Sequence, residues 1–239
     1  MLYDIHSHIL PAIDDGAQTV EESLELLKLM KEQGIEGVVA TPHFYPADDN
    51  LEEFVEIYNE SFGILSKLSP KYDLPRIAKG CELLYFGGIS HAEAISQFRL
   101  GNSNFLLLEL TDDCVNEYLF DEILAIRENL GLEPIIAHVE RYCGAKKYKK
   151  FIKFLIANDI PIQINAASVL IAQFSRVIKR LLNTPLFCVV ATDAHSADLR
   201  PPKLKEALDL IAKNFGEECR ERMSENAEYL YHLIMDTAS

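Results

Sequence analysis

The sequence predicts an α/β fold, a seven-stranded parallel barrel in a single domain spanning residues 1–239, and three observations lead to that prediction. Seven short apolar segments alternate with longer segments of helical periodicity, which is typical of α/β proteins. The apolar segments show little polar alternation, so the strands should be parallel and buried on both faces. Metal-binding residue types follow six of the seven strands, and strand ends converge in a barrel but spread along an edge in an open sheet.

The strands are predicted from short apolar runs. They cover residues 2–5, 37–40, 76–81, 105–108, 134–137, 161–164 and 186–190. The second run leads into Thr41-Pro42-His43. Because proline interrupts regular structure, we expect His43 to lie in a loop.

The helices are predicted where apolar residues recur every three or four positions. The first helix has a capping box, with Thr19 as N-cap and Glu22 three residues later, and it should stop at Gly34. The second helix should be closed by Ser69-Pro70. Helices after the first are expected over 52–68, 91–98, 118–129, 146–158, 167–182, 204–215 and 224–235.

Composition narrows the class of protein. The net charge of −14 argues against non-specific nucleic-acid binding, which requires a basic surface. No apolar run reaches the roughly 20 residues of a membrane helix, so no membrane insertion is expected. The chain starts with a strand and shows no targeting segment, so we predict a cytoplasmic protein.

The cysteines favour reduced thiols over a disulfide framework, because their number is odd and no C-x-x-C occurs. They are Cys81, Cys114, Cys143, Cys188 and Cys219. Thiol-dependent tyrosine phosphatases carry an arginine six residues after the nucleophilic cysteine, and none of these five has one. Thiol-based phosphatase chemistry is therefore not expected.

Nine histidines and carboxylates are candidate metal ligands, placed at strand ends or just after them. They are His6, His8, Asp14, His43, Glu82, Glu109, His138, Asp193 and His195. The sixth strand, which ends in Asn165, carries none. Any one of these side chains could be a structural hydrogen-bonding group, but nine at one end of a barrel predict a metal site.

Nine ligands exceed the four to six that a divalent ion takes, so two or three metals with a bridging carboxylate are expected. Metals about 3.5–4 Å apart are suited to phosphoryl transfer, in which a metal-bound hydroxide serves as nucleophile. Arg141 and Arg200 follow His138 and His195 and could hold a phosphate by bidentate hydrogen bonds. The alternative is that either arginine is an ordinary surface residue.

Five motifs taken together resemble the PHP (polymerase and histidinol phosphatase) superfamily. They are His6-Ser7-His8, Ala40-Thr41-Pro42-His43, Gly80-Cys81-Glu82, His138-Val139-Glu140-Arg141 and Thr192-Asp193-Ala194-His195. Within it, His8-Ile9-Leu10-Pro11 with Asp14-Asp15-Gly16-Ala17 resembles the bacterial capsule-type (CpsB/CapC-like) protein tyrosine phosphatases.

The resemblance implies a distorted seven-stranded (β/α)7 barrel with three metals, most often manganese, with iron or zinc as alternatives. It groups His6, His8, Glu82 and Asp193 at one metal, then Asp14, His43 and His195 at a second, and Glu82, Glu109 and His138 at a third. Arg141 and Arg200 correspond to phosphate-binding arginines. It implies phosphotyrosine in a protein as substrate, typically the tail of a bacterial tyrosine kinase that controls exopolysaccharide synthesis and export.

Three alternatives remain open. A histidinol-phosphate phosphatase would use the same chemistry on a small metabolite, although Asp14 argues against that branch. An amidohydrolase-type enzyme shares the His-x-His and the late Asp, but it bridges its metals with a lysine where this chain has Glu82. A regulatory module would bind metal or phosphotyrosine without turnover.

Overall fold

The structure is a computed structural model that describes residues 1–111, 114–142, 148–172 and 175–236. Nine strands lie within these ranges. They are β1 (Leu2–Ser7), β2 (Ile35–Ala40), β3 (His43–Phe44), β4 (Arg76–Lys79), β5 (Glu82–Leu84), β6 (Phe105–Glu109), β7 (Glu133–Ile136), β8 (Ile162–Asn165) and β9 (Cys188–Ala191).

Eight α-helices alternate with the strands in the same ranges. They are α1 (Val20–Glu32), α2 (Leu51–Lys71), α3 (Glu117–Leu130), α4 (Tyr148–Ala157), α5 (Ala166–Leu170), α6 (Ser175–Leu182), α7 (Leu204–Phe215) and α8 (Glu217–Met235). Three 3₁₀ helices cover Ile89–His91, Glu93–Phe98 and Val139–Tyr142. None of the described helices is both long and apolar enough to span a membrane.

All pairings between the strands are parallel, as predicted. One sheet has the order β1-β2-β4 and the other the order β3-β5-β6-β7-β8-β9. Beyond the sheets, a parallel bridge joins Ser7 to Ala194, and the His8 N–H donates to the Ala194 carbonyl at 2.9 Å. The buried Asp4 carboxylate also accepts from the Thr192 N–H, at 2.9 Å. The first strand is thereby joined to the segment after the last.

Two of the predicted strands are each followed, after a gap of two residues, by a short strand that was not predicted. The second breaks at Thr41-Pro42, where proline has no N–H to donate, and resumes as β3. His43 is therefore in a strand, paired with Glu82, and the prediction of a loop was wrong. The third breaks at Gly80-Cys81 and resumes as β5, so Glu82 begins a strand instead of following one.

The helix predictions need four corrections. Helix α2 continues through Pro70, which stands in its last turn and disrupts little there. The helix expected over 167–182 ends at Leu170, because Ile171 is extended, and a second helix begins at Ser175. Helix α8 begins at Glu217, seven positions before the predicted start, and the segment 91–98 is 3₁₀ in character. The start predicted at residue 146, like Cys143, lies outside the described residues.

The N-terminal cap of α1 is as predicted, since the Thr19 hydroxyl accepts from the Glu22 N–H at 3.2 Å. The Glu22 carboxylate accepts from the N–H of Gln18, one residue before the cap. Each interaction satisfies an amide near the helix start.

Helix α8 covers the N-terminal ends of the first strands. Its Tyr231 stacks on Tyr3 with ring centroids 4.7 Å apart and donates to the Arg76 carbonyl at 2.9 Å. A Cβ at Gly37 would lie 2.3 Å from the Tyr231 ring, so only glycine allows this approach. With that end covered, the C-terminal ends of the strands are left for polar side chains.

Candidate metal centre

The predicted ligands lie together at the C-terminal ends of the strands. His6 is near the end of β1 and Glu109 is the last residue of β6. His138 follows β7 by two residues, and Asp193 and His195 follow β9. Because parallel strands deliver these residues to one end, positions almost 190 residues apart in sequence become neighbours.

We call His6, His8, Glu82 and Asp193 the inner cluster. All four residues are buried, with at most 3% of their surface exposed. The Nε2 atoms of His6 and His8 are 3.2 Å apart and lie 3.1–3.4 Å from Glu82 Oε2 and 3.4–3.6 Å from Asp193 Oδ1. Ligand atoms arranged tetrahedrally at about 2.0–2.2 Å from an ion are separated by about 3.4 Å. The inner cluster therefore has the dimensions of a metal site.

We call Asp15, His43 and His195 the outer cluster. Asp15 Oδ1 lies 3.2 Å from His195 Nε2 and 3.6 Å from His43 Nε2. The centroid of the His8 ring lies 3.8 Å from that of His195 and 4.4 Å from that of His43, so His8 joins the two clusters. The Asp15 side chain is 66% exposed, so this cluster opens to solvent.

A third group of donors shares Glu82 with the inner cluster. Glu82 Oε1 is 2.8 Å from His138 Nε2, and Glu82 Oε2 is 3.0 Å from His43 Nδ1. Glu109 approaches the same two imidazoles, at 3.6 Å from each. Glu82 thus presents one oxygen to the inner cluster and both to its neighbours, which is the arrangement of a bridging carboxylate.

Asp14, which the sequence predicts as a metal ligand, lies behind the His8 ring, whereas Asp15 faces His195. Asp14 Oδ2 accepts from His8 Nδ1 at 2.7 Å and from the His43 N–H at 3.0 Å, and Oδ1 accepts from the Gly16 N–H at 2.8 Å. This carboxylate orients an imidazole from behind, as carboxylates beside metal-bound histidines do. The geometry favours Asp15 over Asp14 as the ligand; the other eight predicted ligands all lie among the three groups of donors.

Strand β8 contributes two amides that sequence reasoning missed. Gln163 Oε1 accepts from the His138 N–H at 2.6 Å and lies 3.3 Å from His6 Nδ1. Asn165 Nδ2 donates to Asp193 Oδ2 at 2.6 Å. The strand without candidate ligands therefore positions the ligands of its neighbours. The sequence did offer one signal. Gln163 and Asn165 are two residues apart on a predicted strand, so their side chains should face the same side as each other.

The two predicted arginines converge on Asp193. Arg141 and Arg200 donate to Asp193 Oδ2 at 2.6 and 2.7 Å, so that oxygen is held by arginines while Oδ1 faces the inner cluster. Each arginine side chain is 39% exposed. A partly exposed pair of guanidinium groups beside a metal site can bind an anion such as phosphate.

Two of the candidate ligands have a strained backbone. His138 has a φ of 30° and Asp193 a φ of 52°, in a region that side chains other than glycine rarely adopt. The Asp193 N–H donates to the His6 carbonyl at 2.9 Å, which holds that conformation in place. Such strain is tolerated where the surrounding structure fixes it, and often at functional sites.

The donor atoms fit a metal better than they fit one another. Among the described residues, His43 Nδ1, Glu82 Oε2 and His195 Nε2 are buried without a hydrogen-bond partner, although they face other nitrogens and oxygens at 3.0–3.4 Å. Buried polar atoms without partners are rare and costly. Divalent cations held by these groups of donors would satisfy them.

Burial and neighbouring charges shift the pKa of several groups in the site. Burial lowers the pKa of His195, with further repulsion from His8, to about 3, which keeps the imidazole neutral as a metal ligand must be. Burial would raise the pKa of Asp14, but His8 and the two backbone N–H groups outweigh it and hold the pKa at about 2. Burial and the charge of Glu82 raise the pKa of Glu109 to about 7.

Comparisons with known proteins find likeness along nearly the whole chain. The family model described as capsular polysaccharide synthesis, CpsB/CapC, matches residues 2–232. The tyrosine-protein phosphatase CpsB of Streptococcus agalactiae is 31% identical over 241 residues, covering 95% of this chain and 97% of that protein. The tyrosine-protein phosphatase YwqE of Bacillus subtilis is 32% identical over 235 residues, covering 96% of this chain and 91% of that protein.

Two solved structures are also similar to this chain. A structure from work on YwqE of Bacillus subtilis and CpsB of Streptococcus pneumoniae, metal-dependent tyrosine phosphatases, matches with a TM-score of 0.82 and 29% identity. The match covers 97% of this chain and 95% of the other. Histidinol phosphate phosphatase from Lactococcus lactis matches with a TM-score of 0.58 and 17% identity, covering 89% of this chain and 93% of the other, a likeness of fold alone.

Proposed function

The chain belongs to the CpsB/CapC family of capsular polysaccharide synthesis, and from this premise we propose that it is a metal-dependent phosphatase hydrolysing phosphotyrosine in proteins. One observation in the structure supports the proposal independently of family membership. A buried carboxylate, Glu82, stands between two groups of metal-binding donors, and two arginines stand beside them. That combination is suited to a phosphate ester and has no evident use in a purely structural site.

We propose manganese as the native metal, with two or three ions bound. His6, His8, Glu82 and Asp193 would hold the first, and Asp15, His43 and His195 the second. Glu82, Glu109 and His138 would hold a third. Bound divalent metals would activate water and neutralise charge on the phosphate.

The remaining steps fall to the chain's own residues. Arg141 and Arg200 would donate to the phosphate while held by Asp193 and stabilise the charge that develops as the ester bond breaks. Asp193 holds both guanidinium groups at one oxygen, so they are positioned before substrate arrives. Asp14 fixes the His8 ring by its Nδ1, which leaves Nε2 directed at the inner cluster.

We also propose that the fold is a distorted seven-stranded barrel in one domain. Strands β2 and β3 would form one interrupted barrel strand, and β4 and β5 another. The supporting observations are that each pair is separated by two residues and that the Ser7–Ala194 bridge joins the first strand to the segment after the last.

The substrate we propose is the phosphorylated tail of a bacterial tyrosine kinase that controls exopolysaccharide synthesis and export. The family's role in capsular polysaccharide synthesis supports this partner. A cytoplasmic location stays a prediction.

The decisive experiment combines metal analysis with two substrates. Purified protein is stripped of metal, reloaded with Mn²⁺, Zn²⁺ or Mg²⁺, and assayed on a phosphotyrosine peptide and on histidinol phosphate. We expect metal-dependent phosphate release, with a higher kcat/KM for the peptide. Efficient hydrolysis of histidinol phosphate alone would overturn the substrate assignment, and metal binding without turnover of either ester would point to a binding module.

A further inference from the structure

A groove with a cavity volume of about 470 Å³ adjoins the candidate metal centre and extends beyond it. Arg141, Asp193 and Arg200 form the wall that it shares with that centre. Ile171, Leu199 and Lys203 also line the groove and belong to none of the donor groups, and we call the part that they line its far side. The volume is in the range of ordinary ligand sites. Since a phosphate held by the arginines would occupy only the near wall, the far side is left for something attached to it.

The far side carries unusually exposed apolar surface. Leu199 is 86% exposed, the most exposed large apolar side chain among the described residues, and Ile171 is 44% exposed. Leu199 is held outward by a fixed loop, because the N–H groups of Leu199 and Arg200 both donate to Ser196 Oγ at 3.1 Å. The Arg200 carbonyl in turn accepts from the His195 N–H at 3.0 Å. Exposed apolar side chains that line a groove are suited to contact an apolar part of a ligand.

The groove is also basic on an acidic protein. Lys203 stands at its edge, is exposed, and forms no ion pair with any residue that the structure describes. The chain as a whole carries a net charge of −14. Arg141 and Arg200 are committed to Asp193 and to a phosphate, whereas the Lys203 ammonium is available for a second negative group.

We propose that this groove binds the peptide segment flanking the phosphotyrosine. Leu199 and Ile171 contact an apolar side chain of that segment, and Lys203 pairs with an aspartate or glutamate carboxylate within a few residues of the phosphotyrosine. The inference rests on the proposed function and names the residues that would select its substrate. It makes Lys203 and Leu199 specificity-determining residues that leave the hydrolytic step to the metal centre.

The test compares a peptide with a substrate too small to reach the far side. Two phosphotyrosine peptides differ only in one glutamate or glutamine near the phosphotyrosine, and p-nitrophenyl phosphate is the small substrate. In Lys203→Glu, we expect the ratio of kcat/KM for the glutamate peptide to that for p-nitrophenyl phosphate to fall about tenfold. The loss should be mainly in KM and should shrink at high salt, as expected for a screened charge pair.

A charge swap sharpens the result. A third peptide with lysine at the varied position should be the preferred substrate of Lys203→Glu and the poorest substrate of the parent protein. Leu199→Ala should lower the peptide ratio about fivefold, because an apolar contact worth about 1 kcal/mol is removed. Lys67→Glu and Ile64→Ala, exposed residues on α2 outside the groove, are matched controls that should leave the ratio unchanged.

The outcomes separate this inference from the proposed function. If no phosphotyrosine peptide is hydrolysed, the proposed function fails. If peptides are hydrolysed but Lys203→Glu leaves the ratio and the peptide preference unchanged, only the groove assignment fails. Equal losses for p-nitrophenyl phosphate and peptide would also overturn it, since the groove would then hold the phosphotyrosine ring and not its flank.

Discussion

The inner and outer clusters use the same residue types and differ in what supports them. The inner cluster is buried to at least 97% and its ligands come from, or directly adjoin, strands β1, β5 and β9. The outer cluster depends on Asp15, which is 66% exposed and lies in the loop after β1. A buried, strand-borne set should bind its metal tightly, whereas a loop-borne, exposed ligand should allow exchange. The comparison predicts graded effects of substitution.

The largest effect is expected at Glu82, which both the inner cluster and the third group use. Glu82→Gln keeps the shape but removes the negative charge of the carboxylate that faces His6, His43 and His138. We expect kcat to fall at least about 10²–10³-fold, as when a preorganised electrostatic group is lost. Bound manganese, measured by mass spectrometry, should fall by more than one ion per chain. Glu36→Gln, an exposed glutamate on β2, is the control, and loss of only one ion would show that Glu82 does not bridge.

Asp15→Asn should have a smaller and reversible effect. It removes the only carboxylate of the outer cluster while leaving the inner cluster whole. We expect about one manganese ion to be lost at low metal concentration, with activity down about 100-fold and recovering as manganese is added. Titration of activity against free Mn²⁺ measures this. If activity does not recover at any Mn²⁺ concentration, the proposed difference in metal exchange between the inner and outer clusters is wrong.

Asp14→Asn should lower activity less than Asp15→Asn does. Its carboxylate holds His8 from behind, and loss of such a support lowers metal affinity or activity by roughly 10–100-fold. We expect the lower end, about tenfold, because asparagine can still accept from the Gly16 N–H. The metal count should stay at the parent value in excess manganese. If Asp14→Asn loses an ion that Asp15→Asn retains, Asp14 is the metal ligand, as the sequence predicts.

The smallest effect is expected at Cys81, next to Glu82 in sequence. Burial raises the pKa of the Cys81 thiol well above its usual value, so it is not a thiolate nucleophile. The Sγ atom donates to the Pro42 carbonyl at 3.3 Å, a bond that serine can replace. Cys81→Ser should retain activity within about twofold, and iodoacetamide should not inactivate the parent protein. A loss of more than tenfold in kcat would contradict a mechanism that uses no thiol.

Much of this fold was predictable because its signals are local. Apolar runs marked the strands, and the Thr19 cap marked the start of α1. The short strands β3 and β5 were missed, because two or three residues after a break are too few to show a periodic pattern. The positive φ of Asp193 was not predicted, because aspartate tolerates that conformation better than most residues but does not require it.

The sequence predicted which residues form the candidate site better than it predicted what each of them does. Adjacent aspartates are equivalent in a sequence, and only the turn decides that Asp14 faces His8 while Asp15 faces His195. Gln163 and Asn165 were missed because amides seldom bind such metals, although they position residues that do. The groove was missed because Leu199 gives a sign of function only when its exposure is known.

The joining of the first strand to the segment after the last has a consequence for synthesis of the protein. His6 leaves the ribosome early, but its partner Asp193 and the Ser7–Ala194 bridge require almost 190 further residues. Translation at about 5–20 residues per second leaves the nascent chain for roughly 10–40 seconds with histidines that have no completed site. Metal can therefore be captured in its final geometry only after most of the chain has emerged, and maturation should be limited by closure of that long contact.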